Sequence, residues 1–468
     1  MHPLLILLIG VVTVIGLILV LRLNAFLALI MAAILVSLLA PGAWPAKVAR
    51  VGEAFGSVAG KIGIVIALAA IIGQCLMESG AADRIVRSLL RALGESRAAA
   101  ALLAAGFVLS IPMFFDTVIF LLVPLARSLW RRTRKNYVLY ITALAAGAAI
   151  THTLVPPTPG PLFVANELKV NLGMMIIMGL VVAAPTAVLS FVVCTVIGRR
   201  LDIPMRPIGS GPVEDSPGRE PEPLPDERLP PLWISVAPVV LPVILISANT
   251  TVQALASGPA AAESAGRLPE WLSATTSIVG HPNMALLLAV VVGLAMLVRY
   301  RRPSLKGLAR TTETALMSAG VILLITVGGG AFGAMLRESG VQGWVRGLLG
   351  EGTGSAGIVL LLSGFLASSF VKIAQGSSTV AMITATSLFT ALGVSQDMLG
   401  CHPVYLALAI GCGSLVCSWM NDSGFWIIAR MCGLTEVETL KSWTVAAASV
   451  GVLGLLVTLT LATVMPLT

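Results

Sequence analysis

The sequence predicts an all-α polytopic membrane protein, and three observations support this prediction. Only 11% of the 468 residues are charged, whereas a soluble domain needs roughly a quarter to cover its surface. Hydrophobic residues make up 57% of the chain, and the mean hydropathy is +0.96. Apolar runs of about 17–25 residues, the length that crosses a bilayer as a helix, recur from one end to the other. The short alternating segments of a membrane β-barrel are not found in the sequence.

The apolar runs predict about ten transmembrane helices. The first run follows Met1-His2-Pro3 without a basic segment or a small-residue cleavage site, so it is expected to remain as a helix. The predicted spans lie near 3–20, 24–40, 55–77, 138–165, 170–198, 232–251, 282–298, 312–336, 402–430 and 443–466.

Two further apolar stretches are interrupted in the middle by polar or helix-breaking residues. Stretch 97–126 contains Ser110-Ile111-Pro112 and Asp116-Thr117, and stretch 355–390 contains Lys372 followed by Gln375-Gly376-Ser377-Ser378-Thr379. Each arm is expected to have about a dozen residues, which is too short for a full crossing. The two stretches are therefore predicted to form re-entrant hairpins.

The basic residues orient these spans. If hairpin 97–126 opens to the cytoplasm, 22 of the 30 Lys and Arg residues lie inside, mostly in segments 84–97, 127–135, 199–228 and 299–310. This asymmetry favours both termini outside, and it explains the net charge of +8 without a nucleic-acid partner. Segments 80–93 and 340–350 are expected to lie along the interface as amphipathic helices whose arginines bind lipid headgroups.

Residues 199–231 divide the chain into similar halves, 1–198 and 232–468. The segment holds nine of the 27 prolines and both signs of charge, which is typical of an extended, poorly ordered cytoplasmic linker. Each half has three spans, a hairpin, a span with a polar break (138–165 or 402–430) and a last span. An inverted repeat is predicted, with the first hairpin opening inward and the second outward. The matching residues are Leu76-Met77-Glu78-Ser79-Gly80 with Leu336-Arg337-Glu338-Ser339-Gly340, Thr117-Val118 with Thr379-Val380, and Gly147 and Gly160 with Gly411 and Gly424.

No cofactor, metal or soluble catalytic domain is expected. The six cysteines lie mostly in or beside apolar runs and form no CxxC pair, which is typical of buried packing thiols. Gly328-Gly329-Gly330-Ala331-Phe332-Gly333 satisfies GxGxxG, but it lies within a predicted span with no strand before it. Because the chain has no soluble ATPase domain, the energy for transport is expected from an ion gradient or from the substrate's own gradient.

Four polar breaks at membrane depth form the candidate transport site, because irregular backbone there must line protein or water. In the first hairpin, Ser110, Pro112, Asp116 and Thr117 interrupt the helix, and free N–H groups at the start of the returning arm attract an anion. The alternative is that Asp116 only caps that arm.

The second break lies in span 138–165, where four prolines between Thr151 and Pro161 must unwind the helix. His152, flanked by Thr151 and Thr153, titrates near neutral pH and is a candidate for bonding a substrate or carrying a proton. The alternative is a histidine with a purely structural role.

The remaining two breaks lie in the second half. Around Gly376, three hydroxyls and the following N–H groups suit an anion, and Lys372 supplies positive charge unless it extends to the outer surface. In span 402–430, Asn421-Asp422-Ser423 offers hydrogen-bond donors and a carboxyl group that can bind a proton, with a capping or helix-packing role as the alternative.

The sequence at these breaks resembles the gluconate permease family over nearly the whole chain. The segments with this resemblance are Phe114-Phe115-Asp116-Thr117, Thr151-His152-Thr153-Leu154-Val155-Pro156-Pro157-Thr158-Pro159-Gly160-Pro161, Gln375-Gly376-Ser377-Ser378-Thr379 and Asn421-Asp422-Ser423-Gly424. The resemblance implies a proton symporter of the bacterial inner membrane for gluconate or relatives such as idonate, fructuronate, glycerate or D-serine. It also implies an elevator-type carrier, in which a domain of hairpins and broken helices moves against a scaffold that forms a homodimer.

The resemblance and the residues together assign roles in the candidate site. The carboxylate is expected at the hairpin-turn N–H groups and at Ser377, Ser378 and Thr379, with polyol contacts from Thr151, Thr153, Asn421 and Ser423. The coupling ion is expected to be H⁺, carried by Asp116, His152 or Asp422, because the first turn lacks the Ser-Asn-Thr triplet of sodium-coupled relatives. The alternatives are an anion channel of the same fold and a membrane-embedded enzyme, although no catalytic motif supports an enzyme. The other predicted substrate-binding residues are Ser110, Thr117, Gln375 and Gly376.

Overall fold

A computed structural model describes residues 2–133, 136–206, 225–257, 270–340 and 356–467. Within these ranges all regular structure is helical, which confirms the predicted class. Eight helical segments of the described chain are long and apolar enough to cross a membrane. They are Trp44–Ser79, Tyr137–Glu167, Leu172–Arg200, Leu232–Gln253, Pro282–Arg301, Leu305–Glu338, Gly357–Gln375 and Glu436–Val464.

Nine α-helices are described in the first half of the chain. They are α1 (Pro3–Leu19), α2 (Ala25–Leu39), α3 (Trp44–Ser79), α4 (Ala81–Leu93), α5 (Ala98–Leu109), α6 (Phe115–Thr133), α7 (Tyr137–Leu154), α8 (Pro159–Glu167) and α9 (Leu172–Arg200). Asparagine side chains begin two of them, because Asn24 accepts from the N–H of Phe26 and Asn171 from that of Gly173, each at 2.9 Å. Helix α4 is amphipathic, as predicted for segment 80–93.

The described part of the second half has eleven α-helices. They are α10 (Leu232–Ser257), α11 (Glu270–Val279), α12 (Pro282–Arg301), α13 (Leu305–Glu338), α14 (Ala356–Gln375), α15 (Ser378–Ala391), α16 (Gln396–Leu399), α17 (Val404–Gly413), α18 (Ser423–Cys432), α19 (Glu436–Thr439) and α20 (Val445–Val464). A π-helical turn, Leu440–Thr444, joins α19 to α20. Helices α5 and α6 form the first hairpin, α14 and α15 form the second, and the pairs α7–α8 and α17–α18 are the two broken helices.

Helices α1 and α2, with 17 and 15 residues, lie where the spans 3–20 and 24–40 were predicted. These two helices and the second broken helix are not among the eight candidate spans of the described chain, whereas arm α14 of the second hairpin is, so the count is eight rather than about ten. The predicted lengths of two hairpin arms are wrong. Arm α14 of the second hairpin has 20 residues and arm α6 of the first has 19, whereas about a dozen was expected. Arms α5 and α15, with 12 and 14 residues, fit the expectation.

Parts of two predicted segments lie outside the described residues, namely 341–350 of the second amphipathic helix and 207–224 of the linker. Both described ends of the linker are held by ion pairs. Arg206 donates to both carboxylate oxygens of Glu438, at 2.6 and 2.7 Å, and Arg87 pairs with Asp226 at 2.5 Å. The two described ends of the linker, before residue 207 and after residue 224, are therefore held to neighbouring helices.

The helices pack as two groups. The long-helix group consists of α1, α2, α3, α10, α12 and α13, and the hairpin group consists of α5 to α9, α14, α15, α17, α18 and α20. In both halves a glycine brings the first hairpin arm close to the first part of the broken helix. A Cβ on Gly147 would lie 2.1 Å from the carbonyl oxygen of Leu103, and one on Gly413 would lie 2.2 Å from that of Phe365. The order of elements and this close approach thus occur twice along the chain.

The two groups meet along helix α13. A Cβ on Gly329 of α13 would lie 1.9 Å from the side chain of Ile383 on α15, so the glycine permits this contact. At the end of α13, Arg337 donates to Glu167 of α8 at 2.8 Å and to Thr390 of α15 at 3.2 Å. The long-helix group therefore contacts both a broken helix and a hairpin of the other group.

Candidate functional site

A cavity of about 230 Å³ lies where the hairpin turns and the ends of the broken helices meet. Helices α13 and α20 and the π-helical turn complete its wall. The lining residues are Phe114, Phe115, Asp116, Ala149, His152, Thr153, Ile322, Ile325, Lys372, Ser377, Ser378, Thr379, Val380, Leu415, Ser418, Asp422, Ser423, Gly424, Trp443 and Ala447. Four separate segments of the sequence thus contribute polar groups to one cavity.

The turn of the second hairpin depends on Gly376. Its φ of +83° is a left-handed conformation that favours glycine, and a Cβ there would lie 2.2 Å from the carbonyl oxygen of Asn421. After the turn, the hydroxyl of Ser377 accepts from the N–H of Val380 at 3.3 Å and begins α15. The positive end of the α15 dipole therefore faces the cavity beside Ser377.

The second broken helix places a buried ion pair on the cavity wall. The ammonium of Lys372 lies 2.7 Å from Oδ2 of Asp422, and the two side chains are 3% and 11% exposed. The hydroxyl of Ser418 donates to the same carboxylate oxygen and accepts from the indole N–H of Trp443 at 2.8 Å. The other oxygen of Asp422 accepts from the N–H of Gly424 at 3.0 Å, so this carboxylate also caps α18.

Lys372 does not extend to the outer surface, which was the alternative to a site role. Besides the carboxylate of Asp422, its ammonium donates to the carbonyl of Gly376 in the hairpin turn. Removing a charge from water into this environment is costly unless a partner compensates it. The ion pair therefore joins the second hairpin to the second broken helix.

The first hairpin reaches the same cavity from the opposite side. Asp116 lies in the first turn of α6 and lines the cavity. The ring of Phe115 stacks on Trp443, with 5.6 Å between the ring centroids, and a Cβ on Gly424 would lie 3.1 Å from that ring. Aromatic packing therefore holds the start of α6 against the start of α18.

The first broken helix contributes His152 and Thr153. Atom Nδ1 of His152 is buried and has no hydrogen-bond partner within the described protein. Buried polar atoms are nearly always paired, so an unpaired one beside a cavity indicates a place for a bound molecule or water. The hydroxyl of Thr153 donates to the carbonyl of Ala149 at 3.0 Å, which leaves its oxygen able to accept a hydrogen bond.

The structure places eight of the fourteen predicted site residues at the cavity and six away from it. The eight are Asp116, His152, Thr153, Ser377, Ser378, Thr379, Asp422 and Ser423. The six are Ser110, Thr117, Thr151, Gln375, Gly376 and Asn421.

Three of the six residues that do not line the cavity make hydrogen bonds within the protein. The hydroxyl of Thr151 donates to the carbonyl of Phe107 at 2.8 Å, and that of Ser110 donates to the carbonyl of Met113 at 3.4 Å. The amide of Asn421 donates to the carbonyl of Ile373 at 2.8 Å. In this arrangement these groups stabilise the turns, and their contact with the substrate stays a prediction.

Three cavity residues with polar groups, Lys372, Ser418 and Trp443, were absent from the predicted set of binding residues. Lys372 was expected only to supply positive charge, whereas it lies on the cavity wall itself. Ser418 and Trp443 were not singled out, because a serine and a tryptophan in apolar runs are ordinary features of membrane helices. Only the three-dimensional contact with Asp422 identifies Ser418.

An all-helical chain that crosses the membrane several times and encloses a polar cavity between broken helices is a membrane transport protein. It belongs to the GntP permease family, whose family model matches residues 2–465. The chain is thus a multi-span transporter of the bacterial inner membrane, and its relatives are permeases and transporters rather than enzymes.

The chain is similar over its whole length to curated proteins. It is 33% identical to a gluconate permease of Pseudomonas aeruginosa, covering 99% of each chain. It is 32% identical to a low-affinity gluconate transporter of Escherichia coli, covering 93% of each, and 28% identical to the Gnt-II system L-idonate transporter of Escherichia coli, covering 97% of this chain and 98% of the relative. Its fold is similar to the crystal structure of the YdaH transporter of Alcanivorax borkumensis, with a TM-score of 0.58, 15% identity and coverage of 94% and 98% of the two chains.

Proposed function

We propose that the protein takes up gluconate, or a closely related small sugar acid, together with a proton. The observation that supports this most directly is the composition of the cavity, where Lys372 and the start of α15 supply positive potential beside the carboxyl groups of Asp116 and Asp422. An anion is attracted by the first two groups, and a proton can be bound by the second two. The names of the gluconate permease and gluconate transporter relatives support the choice of sugar acid.

In this proposal the carboxylate lies at the start of α15. The oxygen of Ser377 accepts from a backbone N–H, so its proton remains available for an anion. Ser378 differs, because its hydroxyl already donates to the carbonyl of Ser414 at 2.8 Å. We therefore assign the carboxylate contact to Ser377 rather than to Ser378.

The hydroxyl groups of the substrate lie toward the first broken helix. The side chain of His152, the oxygen of Thr153 and the exposed side chain of Ser423 offer both donors and acceptors along the cavity wall. The apolar carbons pack against Ile322 and Ile325 of α13. This division between a charged end and a polyol wall suits a sugar acid.

A proton rather than sodium is proposed as the coupling ion. The turn of the first hairpin offers Asp116 and Thr117, and only Asp116 of the two lines the cavity. Asp116, His152 and Asp422 are the titratable candidates for the proton. Uptake should then rise as the external pH falls, because a protonated carrier is required for each inward step.

The test is uptake of labelled gluconate into proteoliposomes of the purified protein. A proton gradient directed inward, with the outside more acidic, should make the vesicles accumulate gluconate above its external concentration. An uncoupler should abolish this accumulation. Equilibration without accumulation would indicate a channel-like facilitator instead. A sodium gradient imposed at equal pH is the control, and it should not drive accumulation.

A second candidate is uptake of another small carboxylate, and the similarity to an L-idonate transporter favours it. Competition by idonate, fructuronate, glycerate, citrate and D-serine against labelled gluconate ranks these ligands. Inhibition by idonate at a lower concentration than gluconate would favour this candidate.

We further propose that the two halves are an inverted repeat, that transport follows an elevator mechanism and that the long-helix group forms a homodimer. The repeated order of elements, and the packing of the hairpin group as one body against α13, support the first two proposals. If the hairpin group slides, a disulfide between cysteines replacing Gly329 of α13 and Ile383 of α15 should stop transport until a reductant is added, because a Cβ on Gly329 would lie 3.3 Å from the Cβ of Ile383. A cysteine replacing Gly293, whose Cβ would lie 3.2 Å from the Cβ of Cys75 within the long-helix group, is the matched control and should leave transport unchanged. Cross-linking in membranes tests the dimer.

A further inference from the structure

We propose that Lys372 binds the substrate carboxylate by exchanging it for Asp422, and that this exchange couples substrate to proton. The inference rests on the proposed function and adds a mechanism to it. In the empty cavity the ammonium of Lys372 is paired with Asp422, 2.7 Å away. An entering carboxylate has the same charge and the same acceptor geometry as Asp422, so the two compete for one cation.

The neighbours of Lys372 permit this exchange. An ammonium has three N–H donors, and the carbonyl of Gly376 and the carboxylate of Asp422 occupy two of them. The carbonyl keeps the lysine at the hairpin turn when its carboxylate partner changes. Ser377 and the start of α15 lie directly after that turn, so the carboxylate on Lys372 also meets these donors.

The neighbours of Asp422 also permit the exchange. Its two oxygens accept from Ser418 and from the N–H of Gly424, and these bonds do not involve Lys372. After the exchange Asp422 keeps its position at the start of α18 but loses its counter-charge. A buried carboxylate without a cation favours its neutral form, so it takes up a proton from the water that enters with the substrate.

The charge of the site is then the same in both states. The empty site holds Lys372 as a cation and Asp422 as an anion. The loaded site holds the same cation, the substrate anion and a neutral Asp422. The proton enters from the outer water onto the carboxylate oxygen, and it leaves to the inner water when the acid departs and Lys372 pairs with Asp422 again. Transport by this route moves one proton with each monovalent acid and no net charge.

Other titratable groups face the same cavity and define the controls. Asp116 lies in the first turn of α6 and His152 lies on α7, and both line the cavity with Lys372 and Asp422. If either of them carries the proton, the loss of coupling should follow substitution of that residue instead, so Asp116→Asn and His152→Gln test this alternative. Asp397→Asn, which changes an exposed carboxylate outside the cavity lining, is the matched control for Asp422→Asn.

Binding of gluconate and of its uncharged analogue glucitol to purified variants tests the exchange. Lys372→Gln should weaken gluconate binding at least tenfold, because the cation is lost. Asp422→Asn should keep or increase gluconate affinity and remove its dependence on pH. The double variant Lys372→Arg with Asp422→Asn retains a cation at position 372, so it should bind gluconate even if a single variant folds poorly. The proposal would be overturned if gluconate affinity fell equally in Lys372→Gln, in Asp422→Asn and in this double variant.

Transport by the wild-type protein provides the second readout. A pH gradient without a membrane potential should drive accumulation, and a potential without a pH gradient should not. Asp422→Asn should retain exchange of labelled for unlabelled gluconate while losing accumulation, whereas Asp397→Asn should retain both. Accumulation driven by the potential alone, or retained in Asp422→Asn, would contradict the exchange while leaving the proposed symport intact. Failure of the wild-type protein to accumulate any tested acid would instead contradict the proposed function.

Discussion

The two broken helices occupy corresponding places in the two halves, yet their chemistry differs. The break between α7 and α8 contains prolines and is closed by its own bonds, since the hydroxyl of Thr158 donates to the carbonyl of Val155 at 2.8 Å in a buried position. The break between α17 and α18 has no proline between Ser414 and Asp422, and its carboxylate pairs with Lys372. The first break is thus set by covalent geometry and the second by an ion pair.

This difference indicates that unwinding a helix and binding a ligand are separate tasks. Prolines end α7 whatever the surroundings, because they lack the N–H that the helix requires. At the second break, Asp422 caps α18 and its ion pair with Lys372 joins it to the hairpin turn. We expect substitutions of Asp422 and Lys372 to change transport, and substitutions of the prolines and Thr158 of the first break to change mainly stability.

The largest effect is expected for Asp422→Asn, which should insert in the membrane but lose uptake driven by a pH gradient. An amide cannot carry the coupled proton, although it can still accept from the N–H of Gly424. Accumulation of labelled gluconate in proteoliposomes measures the loss. Normal accumulation would remove Asp422 from the mechanism.

Gly376→Ala should nearly abolish gluconate uptake and lower the melting temperature. The added Cβ meets the carbonyl of Asn421, so the second hairpin and the second break cannot keep their contact. Gly340→Ala is the matched control, because Gly340 has a φ of +80° and no atom of the described residues lies within 4 Å of a new Cβ. The control tests the backbone strain of about 1 kcal/mol alone and should retain uptake. Equal loss in the two variants would attribute the effect to strain rather than to this contact.

A smaller effect is expected for Ser377→Ala, which removes the available hydroxyl at the start of α15. The apparent Kd for gluconate should rise by about 10- to 150-fold, as for loss of a hydrogen bond to a charged group worth about 1.5–3 kcal/mol. Ser378→Ala removes a hydroxyl that donates to Ser414, so its effect on affinity should be smaller. Titration of both variants with gluconate, followed by thermal shift, compares them. A larger change in the Ser378 variant would reverse the assignment of the carboxylate contact.

The smallest effect on transport is expected for Thr158→Val at the first break. The substitution keeps the shape of the side chain and removes its bond to the carbonyl of Val155. Stability should fall by about 1 kcal/mol, while the Km for gluconate should be unchanged. Thermal unfolding and uptake kinetics measure the two quantities. A change in Km comparable with that of Ser377→Ala would mean that Thr158 takes part in substrate binding.

Much of the fold could be predicted because the signals are local. Prolines and polar residues inside apolar runs mark the four breaks, and the structure brings Asp116, His152, Ser377 and Asp422 to one cavity.

The contacts within the site could not be predicted, because they join residues far apart in the chain. Lys372 and Asp422 are 50 positions apart, and Ser418 and Trp443 are 25 apart. No pattern in a single sequence indicates such a pairing. The position of Thr151 outside the cavity lining has a similar origin, because its hydroxyl donates to a carbonyl of α5, 44 positions away.

The most direct test of the account is a density map of the protein with gluconate bound in lipid nanodiscs. We predict density in the cavity among the four breaks, with the carboxylate within hydrogen-bond distance of Lys372 and Ser377 and with Asp422 separated from Lys372. Gluconate bound elsewhere, or bound with its carboxylate away from Lys372 while the ion pair stays intact, would contradict the account.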